Sequence, residues 1–356
     1  MEKLYTDILV VGAGPAGSAA ALAAAGTSAA SILVIERKKI IGHPVQCAEF
    51  IPARIASDLQ LGTPVCVQKI RGMHTYIQGR LAKTTRTPGY TIHRDKMDQL
   101  LARRAADSGC RILTSTRAVS MSEDGTVLIQ DDERIQKKVM AKIVIAADGP
   151  LSIFRRWLNT PRQRLLPAVQ KRFALTTRSD HTSVYFSPEI FGGYGWVFPK
   201  NDHANVGLGF TLQTRNHMRA AQLLEEFVLT LKEKGVIEGE PLASSGGWIP
   251  VEPLLKAVMD KVVFVGDAAG HTHPITGAGI FSALTCGEMA GRWAAEAIRQ
   301  NDVDLLQCYD EEWRDLFTRS LVHAFRKRTW MEAEWQHFDQ IIKSCWIAFS
   351  EYHGSA

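Results

Sequence analysis

Residues 7–36 commit the start of the chain to a strand, a helix and a second strand. Asp7-Ile-Leu-Val-Val-Gly12-Ala-Gly14-Pro15-Ala16-Gly17 is followed by an alanine-rich stretch and then by Ile32-Leu-Val-Ile-Glu36. Val10 and Val11 close a buried strand, Gly12 permits a tight turn, Gly14 lets a pyrophosphate reach the backbone, and Gly17 lets the helix lie close to the sheet. The phosphates of a dinucleotide then meet the positive end of the helix. Glu36 closes the second strand, where a carboxylate accepts hydrogen bonds from an adenosine ribose and repels a 2′-phosphate.

Residues 8–35 carry no charged side chain, a run as long as a membrane span. Gly12, Gly14, Pro15, Gly17 and Gly26 punctuate it, alanines fill its middle, and Glu2 and Asp7 offset Lys3, unlike the basic start of a secretory leader. Apolar βαβ units are themselves continuous hydrophobic runs, so the chain is expected to be soluble. At 356 residues it can bury the cores of two joined domains. Its 42 basic and 37 acidic residues leave a net charge of +5 spread along the chain, which points away from nucleic acid as a partner. The triplet Arg326-Lys-Arg328 suits a solvated helix face or an anionic surface. The 6 cysteines, at 47, 66, 110, 286, 308 and 345, lack CxxC pairing and metal-ligand spacing, which fits a reducing compartment. No metal site is expected, because His271 and His273 have no third ligand at metal spacing.

Along the chain the pattern alternates between two kinds of structure. A linker at 41–49 leads into a short helical stretch and β-rich sequence over 65–92. Helical periodicity over 94–103 puts Met97, Leu100 and Leu101 on one face. Strands are predicted at 111–119, 125–130 and 138–147, with Asp124-Gly125 as a hairpin turn. Residues 160–255 read as antiparallel sheet interrupted by an amphipathic helix near 217–234, and 261–267 as a return to a buried parallel strand. Leu305 to Phe349 is helical in character and carries Trp313, Trp330, Trp335 and Trp346, suited to a packed cap or to interfacial membrane contact.

Two groups of residues carry chemistry. The first continues the opening fingerprint: Arg94 opens a helix, Asp148-Gly149 ends an apolar strand, and Gly266-Asp267-Ala-Ala-Gly270 leads through Pro274, Gly277 and Gly279 into a long apolar helix. Asp-Gly is also a common turn, and the glycines also serve packing. Yet a carboxylate at a strand end can bind ribityl hydroxyls while the following helix aims its amides at the pyrimidine edge of a flavin. The second group is Tyr194-x-Trp196-x-Phe198-Pro199, a gap of seven residues, and Gly207-x-Gly209. In a strand the three aromatic residues share one face, as a substrate wall or as plain core.

The first group resembles the FAD-binding fold of the aromatic-hydroxylase superfamily over roughly residues 5–155 and 260–300. The aromatic motif with its two glycines resembles the substrate-domain signature of the geranylgeranyl reductase family, and Pro44-Val-Gln-Cys47-Ala48-Glu49 is similar to that family's cysteine-bearing loop. The resemblance implies an α/β fold: a Rossmann-like FAD-binding domain interleaved with an antiparallel β-sheet substrate domain, plus C-terminal helices. The FAD-binding domain is expected over 1–65, 93–158 and 258–300, the substrate domain over 66–92 and 159–257, and the helical region over 301–356. The implied activity is reduction of isolated C=C bonds in a polyprenyl lipid by hydride transfer from reduced flavin N5. FAD would be held by Gly12, Gly14, Pro15, Ala16, Gly17, Glu36, Arg37, Cys47, Ala48, Arg94, Val119, Asp148, Gly149, Gly266, Asp267, Gly277, Gly279 and Ile280. Tyr194, Trp196, Phe198, Pro199, Gly207 and Gly209 would hold the prenyl chain, with Cys47, Tyr194 and Trp196 catalytic. The expected partners are a prenyl lipid and an electron donor such as NAD(P)H or ferredoxin, in the cytoplasm with peripheral membrane contact.

An isolated alkene has no carbonyl to polarise, so its reduction depends on holding it against the flavin in a dry slot. Protonation of one alkene carbon leaves cationic character on the other, the one that takes the hydride, and aromatic faces stabilise it, Trp196 best. Tyr194 positions a proton or hydrogen-bonds a head group, or is a core tyrosine. Cys47 serves as proton relay, redox gate or steric support, or is a small buried hydrophobe. Glu49 is a second candidate proton donor, or a surface carboxylate. Three other activities use the same architecture: a flavin monooxygenase or halogenase, an electron-transfer dehydrogenase, and a prenyl-binding escort without catalysis. Halogenases carry Trp-x-Trp-x-Ile-Pro where this chain has Tyr and Phe, and no iron-sulfur cysteine cluster is present in the sequence.

Overall fold

A computed structural model describes residues 1–27, 29–212, 220–254 and 256–354. The chain opens with β1 (Glu2–Val11), α1 (Pro15–Thr27) and β2 (Ile32–Ile35), then β3 (Phe50–Pro52), α2 (Ala53–Asp58), β4 (Cys66–Ile77) and β5 (Arg80–Ile92). Next come α3 (Arg94–Asp107), β6 (Arg111–Leu113), β7 (Thr116–Met121), β8 (Val127–Asp131), β9 (Gln136–Ala146) and α4 (Ile153–Trp157). There follow β10 (Leu165–Leu175), β11 (His181–Phe186), β12 (Tyr194–Lys200), β13 (His203–Gly209), α5 (Ala220–Glu233) and β14 (Ile237–Pro250). The chain ends with β15 (Val258–Met259), β16 (Val262–Phe264), α6 (Ile280–Gln300), α7 (Leu306–Ala333), α8 (Phe338–Cys345) and α9 (Ser350–His353).

Two compact units result. The first comprises residues 1–43, 95–164 and 250–322; the second comprises 44–94, 165–249 and 323–356. In the first unit five strands pair in parallel in the order β16-β9-β1-β2-β6, and β7 and β8 extend β9 as an antiparallel hairpin. The apolar runs that resembled a membrane span are strand interiors: Ile8, Leu9, Val10, Ile32, Leu33, Val34 and Ile35 are all buried. Helix α1 lies against α6 with almost no side chain between them. A Cβ on Gly287 would stand 2.2 Å from the Ala16 carbonyl oxygen, and one on Gly291 would stand 2.1 Å from that of Ala20.

The second unit is built on an eight-stranded sheet in the order β14-β10-β13-β12-β11-β4-β5-β3. Its pairs β3–β5, β4–β5, β11–β12, β12–β13 and β10–β13 are antiparallel, whereas β4 and β11 run parallel. A parallel pair needs a long crossover, and here the chain passes through residues 95–164 of the first unit between the two strands. One face of the sheet is covered by α5, where Leu223, Leu224, Val228 and Leu231 bury Val197, Val206 and Leu208. The predicted helix near 217–234 is therefore present from Ala220, and residues 217–219 lie outside the described residues. The predicted strand over 111–119 is divided into β6 and β7, because Ser115 turns the backbone left-handed at φ 51°.

Candidate functional site

In the first unit the strand ends converge on the start of α1. Gly12 adopts φ 105°, and a Cβ there would stand 2.3 Å from the Ala147 carbonyl oxygen at the end of β9. Gly17 is equally constrained, since its Cβ would fall 1.9 Å from the Gly12 carbonyl oxygen. Gly14 and Gly149 have nothing within 4 Å of an added Cβ, so open space lies beside the turn that precedes α1. Glu36 fixes this turn: one carboxylate oxygen accepts the Ala13 N–H at 2.9 Å and the other accepts the Lys38 N–H at 2.9 Å. A carboxylate offers about four acceptor positions, so capacity remains for ribose hydroxyls.

Two further carboxylates belong to the same unit. Asp148 accepts the Ile153 N–H at 2.8 Å and so starts α4, while its Oδ1 is buried without a hydrogen-bond partner among the described residues. Burial pushes the Asp148 carboxyl up, opposed by the neighbouring Ser152 hydroxyl and the Ile153 N–H. Asp267 accepts the Thr272 hydroxyl at 2.6 Å. A Cβ on Gly279, at the N-cap of α6, would approach Thr272 Oγ1 to 2.8 Å and Asp267 Oδ1 to 3.4 Å. The open turn, the orphaned carboxylate oxygen and the glycine-lined start of α6 fit a flavin dinucleotide. His271, 1% exposed, lies against Trp313 with ring centroids 4.7 Å apart, and neither ring nitrogen has a partner among the described residues. Burial lowers its pKa to about 3.

In the second unit the face of the sheet opposite α5 carries the aromatic motif. Pairing sets three rows across β10, β13 and β12: Ala168–Gly209–Tyr194, Gln170–Gly207–Trp196 and Arg172–Asn205–Phe198. Directly paired residues point to the same face, so Gly207 and Gly209 form a trough between taller neighbours. Gly207 is required there, since its Cβ would stand 2.5 Å from Trp196 Cζ2. Without it the indole lies across β13 and donates its N–H to the Gln170 side-chain oxygen at 3.0 Å. Tyr194 packs on Trp196 at 6.2 Å, on Phe186 at 5.8 Å and on Trp346 at 5.2 Å between centroids. Burial pushes its phenol well above the usual value, with Arg328 opposing, so Tyr194 keeps its proton. Trp346 is held by the Thr75 hydroxyl, which accepts its indole N–H at 3.1 Å.

Below the aromatic residues the same face turns polar. Glu49, only 1% exposed and left-handed at φ 70°, accepts the Lys200 ammonium at 2.8 Å, the Asn205 amide at 2.9 Å and the Arg94 N–H at 3.0 Å. Arg172 approaches it at 3.4 Å. Glu49 is thus a buried anchor surrounded by donors and not a surface carboxylate. The residues before it are tied to the sheet one after another: Gln46 donates to the Gly246 carbonyl at 2.5 Å, Gln170 to the Cys47 carbonyl at 3.1 Å, and Asn205 to the Ala48 carbonyl at 3.2 Å. The half-buried Cys47 thiol accepts the Glu49 N–H at 3.3 Å.

The expected FAD residues Gly12, Gly14, Pro15, Ala16, Gly17, Glu36, Arg37, Val119, Asp148, Gly149, Gly266, Asp267, Gly277, Gly279 and Ile280 lie in the first unit. Cys47, Ala48 and Arg94 lie in the second, with the aromatic motif and its glycines. Sequence reasoning passed over Gln170, Arg172, Lys200 and Asn205. A signal existed for Lys200, which continues the alternation of Tyr194, Trp196 and Phe198 along β12. None exists for Gln170 or Asn205, whose partners are far away in sequence. Of the C-terminal tryptophans, Trp313 and Trp346 are buried, whereas Trp330 is 41% exposed.

Comparison with known proteins bears on what this architecture does. Residues 167–247 match the profile described as the geranylgeranyl reductase catalytic domain, and residues 7–151 match that of FAD-dependent oxidoreductases. The digeranylgeranylglycerophospholipid reductase of Methanocaldococcus jannaschii is 33% identical over 345 residues, which covers 92% of this chain and 86% of the relative. The chain belongs to the geranylgeranyl reductase family. A second such reductase, from Methanosphaera stadtmanae, is 35% identical over 84% of this chain and 80% of its own length. The crystal structure of a geranylgeranyl bacteriochlorophyll reductase-like protein from Thermoplasma acidophilum superposes with a TM-score of 0.84 at 28% identity, covering 98% of this chain and 92% of that one. The flavin-dependent brominase Bmp2 shares the fold at a TM-score of 0.72 and 16% identity. The chain is accordingly an FAD-dependent oxidoreductase of the geranylgeranyl reductase type with an α/β fold.

Proposed function

We propose that this reductase saturates isolated double bonds in a polyprenyl lipid, with the aromatic face of the second unit as the wall that holds the chain. The observation that carries the reading is the shared face of Tyr194, Trp196 and Phe198, with the Trp196 indole seated over Gly207. Reduced FAD, when bound, supplies the hydride from N5. We assign the FAD-binding role to the first unit, through Gly12, Gly14, Gly17, Glu36, Asp148 and Asp267, and the lipid-binding role to the second. Trp196, only 8% exposed and fixed by Gln170, presents a ring face that stabilises positive charge developing on a trisubstituted alkene carbon. We assign proton delivery to Tyr194 and Cys47, and Phe198 continues the wall along β12.

No helix among the described residues is long and apolar enough to cross a membrane. We place the enzyme in the cytoplasm, meeting lipid surfaces through the exposed Trp330, with a nicotinamide or ferredoxin donor reducing the flavin. The test is product analysis with and without oxygen, using dithionite as reductant and a geranylgeranyl lipid as substrate. The reading expects products heavier by two mass units per bond in the sample without oxygen, since oxygen consumes both dithionite and reduced flavin. A hydroxylated product formed only with oxygen would replace it by the monooxygenase reading.

A further inference from the structure

We propose that Gln170 is a positioning residue that couples the aromatic wall to the cysteine loop, a role that rests on the lipid-reductase reading of this face. Both ends of one amide are engaged. Its oxygen accepts the Trp196 indole N–H at 3.0 Å, and its nitrogen donates to the Cys47 carbonyl at 3.1 Å. The geometry that allows this is written into the sheet register: Gln170 and Trp196 flank Gly207 on neighbouring strands, and only the missing Cβ of Gly207 lets the indole cross β13 to reach the amide.

Packing alone confines the buried Trp196 loosely, and the hydrogen bond selects the orientation in which its indole lies across Gly207. The same amide holds the peptide carbonyl of Cys47, so the backbone that carries the thiol is tied to the indole through a single side chain. The remaining anchors of the loop do not pass through Gln170: Asn205 holds Ala48, and Lys200 and Arg172 hold Glu49. Loss of the amide therefore loosens the coupling and leaves the loop attached. A side chain that serves only to fill space would be replaced without consequence by one of equal volume. Gln170 has the stricter requirement of an acceptor on one side and a donor on the other.

The experiment compares the wild-type holoenzyme with Gln170→Met, which keeps volume and removes both hydrogen bonds, and Gln170→Glu, which keeps an acceptor for Trp196 and loses the donor to Cys47. Alkylation of Cys47 by iodoacetamide is followed by peptide mass spectrometry, with Cys66 and Cys308 as internal references. Single-turnover oxidation of the reduced flavin by a geranylgeranyl lipid gives the rate at saturation and the lipid Kd separately. Losing one hydrogen bond is expected to raise the Cys47 labelling rate about fivefold in both variants, with the reference cysteines unchanged. The saturating rate is expected to fall about tenfold in Gln170→Met and less in Gln170→Glu, with Kd within about twofold of wild type. Unchanged Cys47 labelling in a Gln170→Met protein of native melting temperature overturns the coupling. So does a labelling change with an unaltered saturating rate, or a loss confined to Kd. If the wild type fails to reduce any prenyl lipid, the functional reading falls, while the labelling arm still reports on the clamp.

Discussion

Removing the Lys200 ammonium should markedly destabilise the second unit. Lys200 and Glu49 are each 1% exposed, and their charged atoms stand 2.8 Å apart. At an effective dielectric of about 20 the attraction at that distance is about 6 kcal/mol. Lys200→Met deletes it and leaves a buried carboxylate, compensated in part by Asn205 at 2.9 Å and by Arg172 at 3.4 Å. Breaking a buried pair from one side costs roughly 3–5 kcal/mol, and the surviving donors put this case toward the lower end. At about 2–4 °C per kcal/mol, melting should fall by roughly 6–12 °C. The assay is thermal unfolding of Lys200→Met beside Glu49→Gln/Lys200→Met, which removes the orphaned charge and keeps one acceptor oxygen, enough for the Asn205 amide or the Arg94 N–H but not for both. The double variant should recover at least half of the loss. A single variant within about 3 °C of wild type, or a double variant less stable than the single, would refute the view that Glu49 is an anchor held by its donors.

Three other outcomes are expected. Gly291→Leu, at the point where a Cβ would stand 2.1 Å from the Ala20 carbonyl oxygen, should drive α1 from α6 and cost about 3 kcal/mol or more, seen as lost FAD retention in the 450 nm to 280 nm absorbance ratio. Asp267→Ala should weaken FAD binding by about 10- to 100-fold by titration calorimetry, the worth of hydrogen bonds to a charged group, while the apoprotein melts within a few degrees of wild type. Because burial lowers the His271 pKa from 6.5 to about 3, the folded state cannot take up the proton that the unfolded state binds below pH 6.5. Stability should therefore be complete above pH 6.5 and drop by roughly 2 kcal/mol between pH 6.5 and 5, a loss that His271→Phe should largely abolish; equal pH slopes for both proteins would count against this assignment.

The parts legible in the sequence are those where the backbone itself makes a demand. Gly12 and Gly17 stand where any side chain would strike a carbonyl oxygen, and Gly207 stands where one would strike an indole, so glycine at those places leaves a trace that reading alone can find. The pairing of α1 with α6 was also accessible, because Gly287 and Gly291 recur at the same four-residue spacing as Ala16 and Ala20. The network around Glu49 was not. It joins a left-handed loop residue to a lysine, an arginine and an asparagine on strands more than a hundred residues away, and each alone reads as an ordinary surface residue. The parallel pairing of β4 with β11 was hidden for the same reason, since it depends on how two distant segments meet and not on the pattern within either.

On the proposed function, the decisive event is electron transfer from the enzyme's reduced flavin to an unactivated alkene. It is tested most directly by rapid anaerobic mixing of stoichiometrically reduced holoenzyme with a geranylgeranyl lipid, following flavin absorbance while quenched samples are assayed for saturated product. The account predicts one double bond lost for each flavin reoxidised, with the two time courses superimposed. A flavin that stays reduced until oxygen is admitted would contradict it.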